Sequence, residues 1–342
     1  MEEIYVSSFR ILVFEVLDPN GLSIRLAGVM MVLKFLRVPA FVIIMVSIGC
    51  GVSSQINENQ TVESDTSQAS PEVTSPSSSE AERSRNSLTL SFEITSPPKK
   101  LSNLSEVFPK FVSVWGISII ATESTPDEKI LHAANVMAQY LDNDENGIPD
   151  DSRVIEALVK NKSILAMART EYEFEEVVDL IIETGLIEEL ISFSVQGLYG
   201  SETAPSDAFD ASLEEVHHLL LNYGWGEVYP EELNQQKGSA IADAMDVARG
   251  GVFDNVPSTY PDEAWYTYDD WTCDYSCMVT EYVYWAHTSL LGGQEGRFDE
   301  IGWEWRFDTP EKIRSGDPVI VSILENPELR LPTVLPDGSY GS

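Results

Sequence analysis

Residues 111–141 read FVSVWGISIIATESTPDEKILHAANVMAQYL, and the hydrophobic period changes partway through them. From 111 to 122 the apolar residues alternate and are rich in Val and Ile, which suits one pleated strand. After TPDE they recur at steps of three and four, as Ile130, Ala134, Met137 and Leu141. That spacing places them on one stripe of a helix. Thr125 at the N-cap, Pro126 at the first helical position and Glu128 closing a capping box mark its start. Further on, SILAMA (163–168) reads as a second strand, and helices are expected at 172–183, 212–222, 239–249, 278–291 and 310–325. Gly250-Gly251 and Gly292 end two of these helices. The expected fold is α+β and helix-rich, a single globular domain with few strands.

The first helix runs into LDNDENGIPDDSRVIEAL (141–158). Asp142, Asp144 and Asn146 alternate, so three side-chain oxygens can converge on one point. Gly147 supplies a sharp turn, the Ile148 carbonyl can follow, and Asp150 or Asp151 comes next. Hard oxygen donors at this spacing suit Ca²⁺. The stretch resembles the EF-hand loop and the loops of thrombospondin type 3 repeats, which implies a structural calcium site at 142–151. Arg153 stands where an EF-hand carries its bidentate glutamate, so Asp151 or Glu156 has to complete the shell. Sensors rely on that glutamate to move the exit helix, so no sensor role is implied.

SLEEVHHLLLNYGW (212–225) carries two of the four histidines of the chain. Within it, EEVHH (214–218) resembles the HExxH signature of zincin metallopeptidases, with Glu214 standing in the place of the first histidine. Residues 214 and 218 lie one helical turn apart and can face one metal, and Glu is a legitimate zinc ligand. The resemblance implies a Zn²⁺ or other transition-metal site held by Glu214 and His218, with Glu215 as general base. Zincins with a glutamate third ligand take it from a later helix. MVTEYVYWAHTSLL (278–291) offers Glu281, apolar on both sides. Two structural alternatives stay open. Ser212 and Glu215 fit a capping box, and Glu214–His217 or Glu215–His218 fits half of a di-iron ExxH pair, with no second ExxH to complete it. His132 lies off the apolar stripe and is expected at the surface.

Residues 260–285 hold nine aromatics interleaved with acids. Such a stretch can line a cleft for a peptide or glycan, or add calcium carboxylates from Asp269, Asp270 and Asp274. It also contains Cys273 and Cys277, a plausible local disulfide in an oxidising compartment.

The N-terminus reads as an export segment, 1–50. Lys34 and Arg37 precede an apolar run of about a dozen residues, short for a spanning helix and suited to a signal peptide. The residues before Met30 and Met31 look like an upstream extension. SIGC (47–50) resembles the bacterial lipoprotein box, which implies lipidation of Cys50. Residues 51–80 hold twelve Ser or Thr and no aromatic residue. With the bias continuing to about 106, residues 51–106 are expected to be a disordered tether before a globular domain at 107–342.

The net charge of −35 lies wholly downstream, because four basic and four acidic residues cancel within the first fifty. Such a surface repels phosphate backbones and argues against nucleic-acid partners. The leading functional expectation is an exported, calcium-stabilised, metal-dependent hydrolase of zincin-like peptidase type. Its competitor is a non-catalytic cell-surface calcium-binding module that recognises a protein or glycan. In either case the protein is a cell-surface or periplasmic lipoprotein, or is secreted. It meets a membrane only through its N-terminal anchor.

Overall fold

The computed structural model describes residues 91–206 and 208–341, together with the backbone of three N-terminal strands. Those strands, β1 (Glu2–Val6), β2 (Phe9–Leu17) and β3 (Ser23–Met30), form an antiparallel sheet in the order β1-β2-β3. The apolar run after Lys34, Cys50 and the segment 51–90 of the expected tether lie outside the described residues.

The main domain is built on one four-stranded sheet, β4 (Lys110–Val114), β5 (Ile117–Ala121), β6 (Ser163–Ala168) and β7 (Ser194–Tyr199), in that order. The single strand expected at 111–122 is instead a hairpin. Trp115 and Gly116 both take positive φ, at 46° and 91°, and turn β4 back antiparallel onto β5. β5 pairs parallel with β6, and β6 with β7. β7 (SVQGLY) had no clear apolar alternation and was not expected as a strand.

β6 is buried along its whole length and shows why the sheet is covered on both faces. Leu165 and Met167 point into one core, and Ile164, Ala166 and Ala168 into the other. The first core is filled by α1 (Asp127–Leu141), α2 (Ser152–Lys160), α5 (Ser212–Leu220) and most of the later helices. The second is covered by α3 (Glu171–Glu183), α4 (Ile187–Leu190) and the segment before β4. Leu101 and Leu104 of that segment are buried, and Thr95 bridges to Phe111. The folded domain therefore begins before residue 107, and residues 91–106 are part of it and not of a tether.

The later helices are α6 (Gly226–Val228), α7 (Pro230–Leu233), α8 (Ala240–Ala248), α9 (Tyr275–Leu290), α10 (Phe298–Ile301), α11 (Pro310–Gly316) and α12 (Pro318–Leu324). The helix expected at 310–325 is two, because Asp317 caps a new start before Pro318. The architecture is α+β and helix-rich. Among the described residues no helix is long and apolar enough to cross a membrane.

Two local expectations differ. Thr125 closes no capping box: its hydroxyl lies 2.9 Å from that of Thr122, and no side chain caps α1. His132 is mostly buried, with Nε2 2.6 Å from the Asp210 carboxylate.

Candidate metal centre

The histidine helix α5 is pinned at both ends. Asp210 Oδ1, just ahead of it, accepts from the Ser212 backbone N–H at 3.1 Å and the Ser212 hydroxyl at 2.7 Å. Ser212 is thus spent on Asp210, and Glu215 closes no capping box. After Leu220 the helix widens into a π-helical turn, Leu221–Trp225, a device common near functional sites. Gly224 in that turn lets α2 approach closely: a Cβ there would meet Leu158 and Val154 side chains at 3.0 Å.

On one face of α5, ligand atoms of Glu214, His218 and Glu281 lie within 4.8 Å of one another. Glu281 arrives from α9, which packs on α5. Its carboxylate stands 3.6 Å from His218 Nε2, and the Glu215 carboxylate 3.7 Å from His218 Nδ1. Both separations are too long for hydrogen bonds. His218 Nε2 is buried and has no hydrogen-bond partner among the described residues. A buried polar atom left in this way calls for an explanation. Two donors each about 2.1 Å from a shared zinc lie roughly 3.4 Å apart in a tetrahedral shell, so a metal between them satisfies both. The residues present therefore fit a divalent metal.

Electrostatics favour the same reading. Burial, then the Glu281 and Glu215 carboxylates, push Glu214 up to about 8. Burial opposes charge on His218, but Glu281, Glu215 and Glu214 together outweigh it and lift the imidazolium to about 9. These are the signs of a carboxylate-rich pocket that a cation would neutralise. Glu215 is held by the Gln196 amide of β7, which donates to its Oε2 at 2.5 Å.

Glu304 adds a further acid that sequence reading missed. It is buried, takes a hydrogen bond from Trp285 Nε1 at 3.1 Å, and is raised to about 8 by burial and then by Glu281. The available signal was an acid between two tryptophans, GWEWRF at 302–307. His217, beside His218, faces the core. His287 Nε2 lies 3.0 Å from the Pro332 carbonyl and must donate to it, so His287 Nδ1 accepts from His217 Nε2 at 3.1 Å. Burial pushes both imidazoles down, His287 to about 4, so the pair is neutral.

The acidic loop forms a second cluster. Asp142, Asp144 and Asp150 bring carboxylate oxygens within 4.8 Å of one another. Asp142 is fully buried and accepts from the Gly147 backbone at 2.7 Å and from the Tyr340 hydroxyl. Asp150 Oδ2 accepts from Asn143 N–H at 2.9 Å. Burial raises both Asp142 and Asp150, and crowding by Asp142 and Asp144 adds to the rise at Asp150. The other sequence candidates sit differently. Asn146 Oδ1 accepts from Ile148 N–H at 2.9 Å, and the Ile148 side chain is exposed. Asp151 is turned away from the cluster: it caps α2, pairs with Arg153 at 2.7 Å and accepts from the Tyr229 hydroxyl at 2.7 Å. Arg153, two residues along, captures the carboxylate that the loop was expected to use.

Cys273 and Cys277 form a disulfide, with Cα atoms 5.4 Å apart. Asp270 and Asp274 are engaged locally, on Thr272 and on the start of α9, and are not in the acidic loop cluster. Comparison with protein-family models, curated proteins and solved structures returns no match.

Proposed function

We propose that this protein is an exported, calcium-stabilised, metal-dependent hydrolase of zincin-like peptidase type. The observation that carries the proposal is the convergence of Glu214, His218 and Glu281 around a buried His218 Nε2 that has no hydrogen bond. One imidazole and two carboxylates suit Zn²⁺ or another divalent transition metal. Such a metal, when bound, acts as a Lewis acid and makes a coordinated water more acidic. The chain's own part is to hold Glu215 beside that position as proton acceptor, its carboxylate oriented by Gln196. Calcium is assigned to Asp142, Asp144 and Asp150, where it would tie the acidic loop. The disulfide supports export, because such bonds persist in oxidising compartments. The apolar run after Lys34 then serves as signal, and Cys50 as a lipidation site. Hydrolysis of a mixed peptide library by purified protein, supplied with Zn²⁺ or Mn²⁺, tests the reading, with Glu215→Gln as the inactive control.

The second reading is a non-catalytic calcium-binding surface module that recognises a protein or glycan. It is favoured by Trp271 and Trp303, which expose more than half their surface. Purified protein holding calcium and no transition metal would decide for it.

A further inference from the structure

Next to Glu304, whose carbonyl accepts from the Thr267 N–H at 2.8 Å, lies a cleft of about 500 Å³ whose walls include Tyr260, Tyr268, Trp271 and Trp303, with Thr267 and Asp269 as polar groups. Among the described residues no Lys, Arg or His lines it. Trp271 and Trp303 are 58% and 60% exposed, an unusual cost for two indoles unless something covers them.

The aromatic walls are fixed in place. Trp303 Nε1 donates to the Glu300 carbonyl at 2.9 Å, and the Thr267 hydroxyl to the Trp303 carbonyl at 2.7 Å. The Tyr260 hydroxyl donates to the Tyr268 carbonyl at 3.2 Å. Trp271 is spanned by the Asp270–Thr272 turn contact and followed by the Cys273–Cys277 disulfide, which hold its loop. Rings held this way lose little freedom on binding.

Glu304 connects the cleft to the centre: its carbonyl accepts from the Thr267 N–H, and its carboxylate accepts from Trp285 Nε1 at 3.1 Å, one turn along α9 from Glu281. Burial pushes the Tyr268 hydroxyl far up, and Glu281 adds to the rise. On the acidic side, Asp269 adds to the field felt by Glu304. Arg249, which shares Met278 Sδ as a contact with the Tyr260 hydroxyl, is already paired with Asp246 at 2.6 Å.

Indole and phenol faces with one carboxylate and no competing cation recognise an organic cation, through ring quadrupoles and direct charge. A negative field of this kind repels acidic ligands and lowers the affinity of neutral ones relative to cations. We propose that this cleft is a specificity subsite for the basic side chain, arginine or lysine, of a peptide substrate. The inference rests on the peptidase reading only in assigning the cation to a substrate; the binding itself needs no turnover.

Full-length protein carrying Glu215→Gln, so that nothing is consumed, is titrated by tryptophan fluorescence with acetyl-Gly-Arg-Gly-amide and its neutral isostere acetyl-Gly-citrulline-Gly-amide. The arginine peptide is expected to give a saturable change at least about ten-fold tighter than citrulline, weakening with added salt. Asp269→Asn should reduce that preference to about three-fold or less, and Trp271→Ala should weaken arginine binding about ten-fold, each with an unchanged melt. Equal binding of the two peptides, preferential binding of cellohexaose, or no response to either peptide overturns the inference. The hydrolase reading is judged separately, by hydrolysis and metal content of the wild-type chain.

Discussion

The Glu281 carboxylate stands 3.6 Å from Nε2 of His218, a nitrogen that is buried and makes no hydrogen bond among the described residues. The two residues come from helices about sixty positions apart and meet at a distance right for a shared metal and wrong for a direct bond. Removing a metal from such a site leaves several acids crowded around one imidazole.

That crowding fixes a pH dependence for the chelated protein. Glu214 and Glu304 rise to about 8 in the fold, well above ordinary carboxyls, so the unfolded chain loses these protons first as pH rises. Their stabilising contribution is full below the ordinary carboxylate range and is lost as pH rises through about 8. His218, raised to about 9, acts in the same direction: its contribution is full below the ordinary histidine range and is lost as pH rises through about 9. The melting temperature of chelated protein should fall steadily from pH 5 to pH 9. Metal-loaded protein should resist that fall, since metal displaces the same protons. Parallel melts at both ends of the range check this, and identical slopes with and without metal would count against it.

Glu215 is predicted to act in chemistry and not in folding. Glu215→Gln keeps the amide partner Gln196 within reach, so metal content and melting temperature should be unchanged while hydrolysis drops by about 10²- to 10⁴-fold. Retained activity would remove Glu215 from the mechanism.

Calcium should act on stability alone. At free calcium about 100 times the dissociation constant, mass action adds about 2.7 kcal/mol, roughly 5–10 °C for a domain of this size. A calcium-selective chelator should reverse it, and Asp144→Ala should mimic the chelator. Asp151→Asn should leave calcium affinity nearly unchanged while loosening the start of α2, because that carboxylate serves Arg153 and Tyr229. Strong loss of calcium binding in Asp151→Asn would return that residue to the loop.

Trimming the N-terminus should reveal where the domain begins. A chain starting at residue 91 should melt like the full-length protein. Starting at 107 removes Leu101 and Leu104 from the core beneath α3, at a cost of about 1.5–3 kcal/mol each. Equal melts of the two trimmed chains would show that these leucines add nothing.

Much of this was legible in the sequence because it follows periodicity. The stripe of α1 and the run of β6 are local patterns, and each took the form expected. Of the residues named in the acidic loop, Asp142, Asp144 and Asp150 come together, while the expected convergence of Asn146 with Asp142 and Asp144 gives way to a turn contact with Ile148. The α5 residues of the candidate centre were also nameable, since Glu214, Glu215 and His218 share one helix turn. What stayed hidden was decided by tertiary contact or by backbone conformation. Trp115 takes a positive φ that its side chain does not advertise, so one apparent strand became two. Leu101 and Leu104 sit in a polar, proline-containing stretch whose burial depends on α3. Asp151 was lost from the loop to Arg153, and Glu304 joined the acids from a turn far along the chain.

Metal content separates the hydrolase from the calcium-only module most directly. Elemental analysis of purified full-length protein should find about one equivalent of a transition metal in addition to calcium. That metal should persist in Glu215→Gln and vanish in His218→Ala and Glu281→Gln, with calcium and the folded spectrum retained in all three. Calcium alone in the wild-type protein, or a transition-metal level untouched by His218→Ala, would contradict the metal centre.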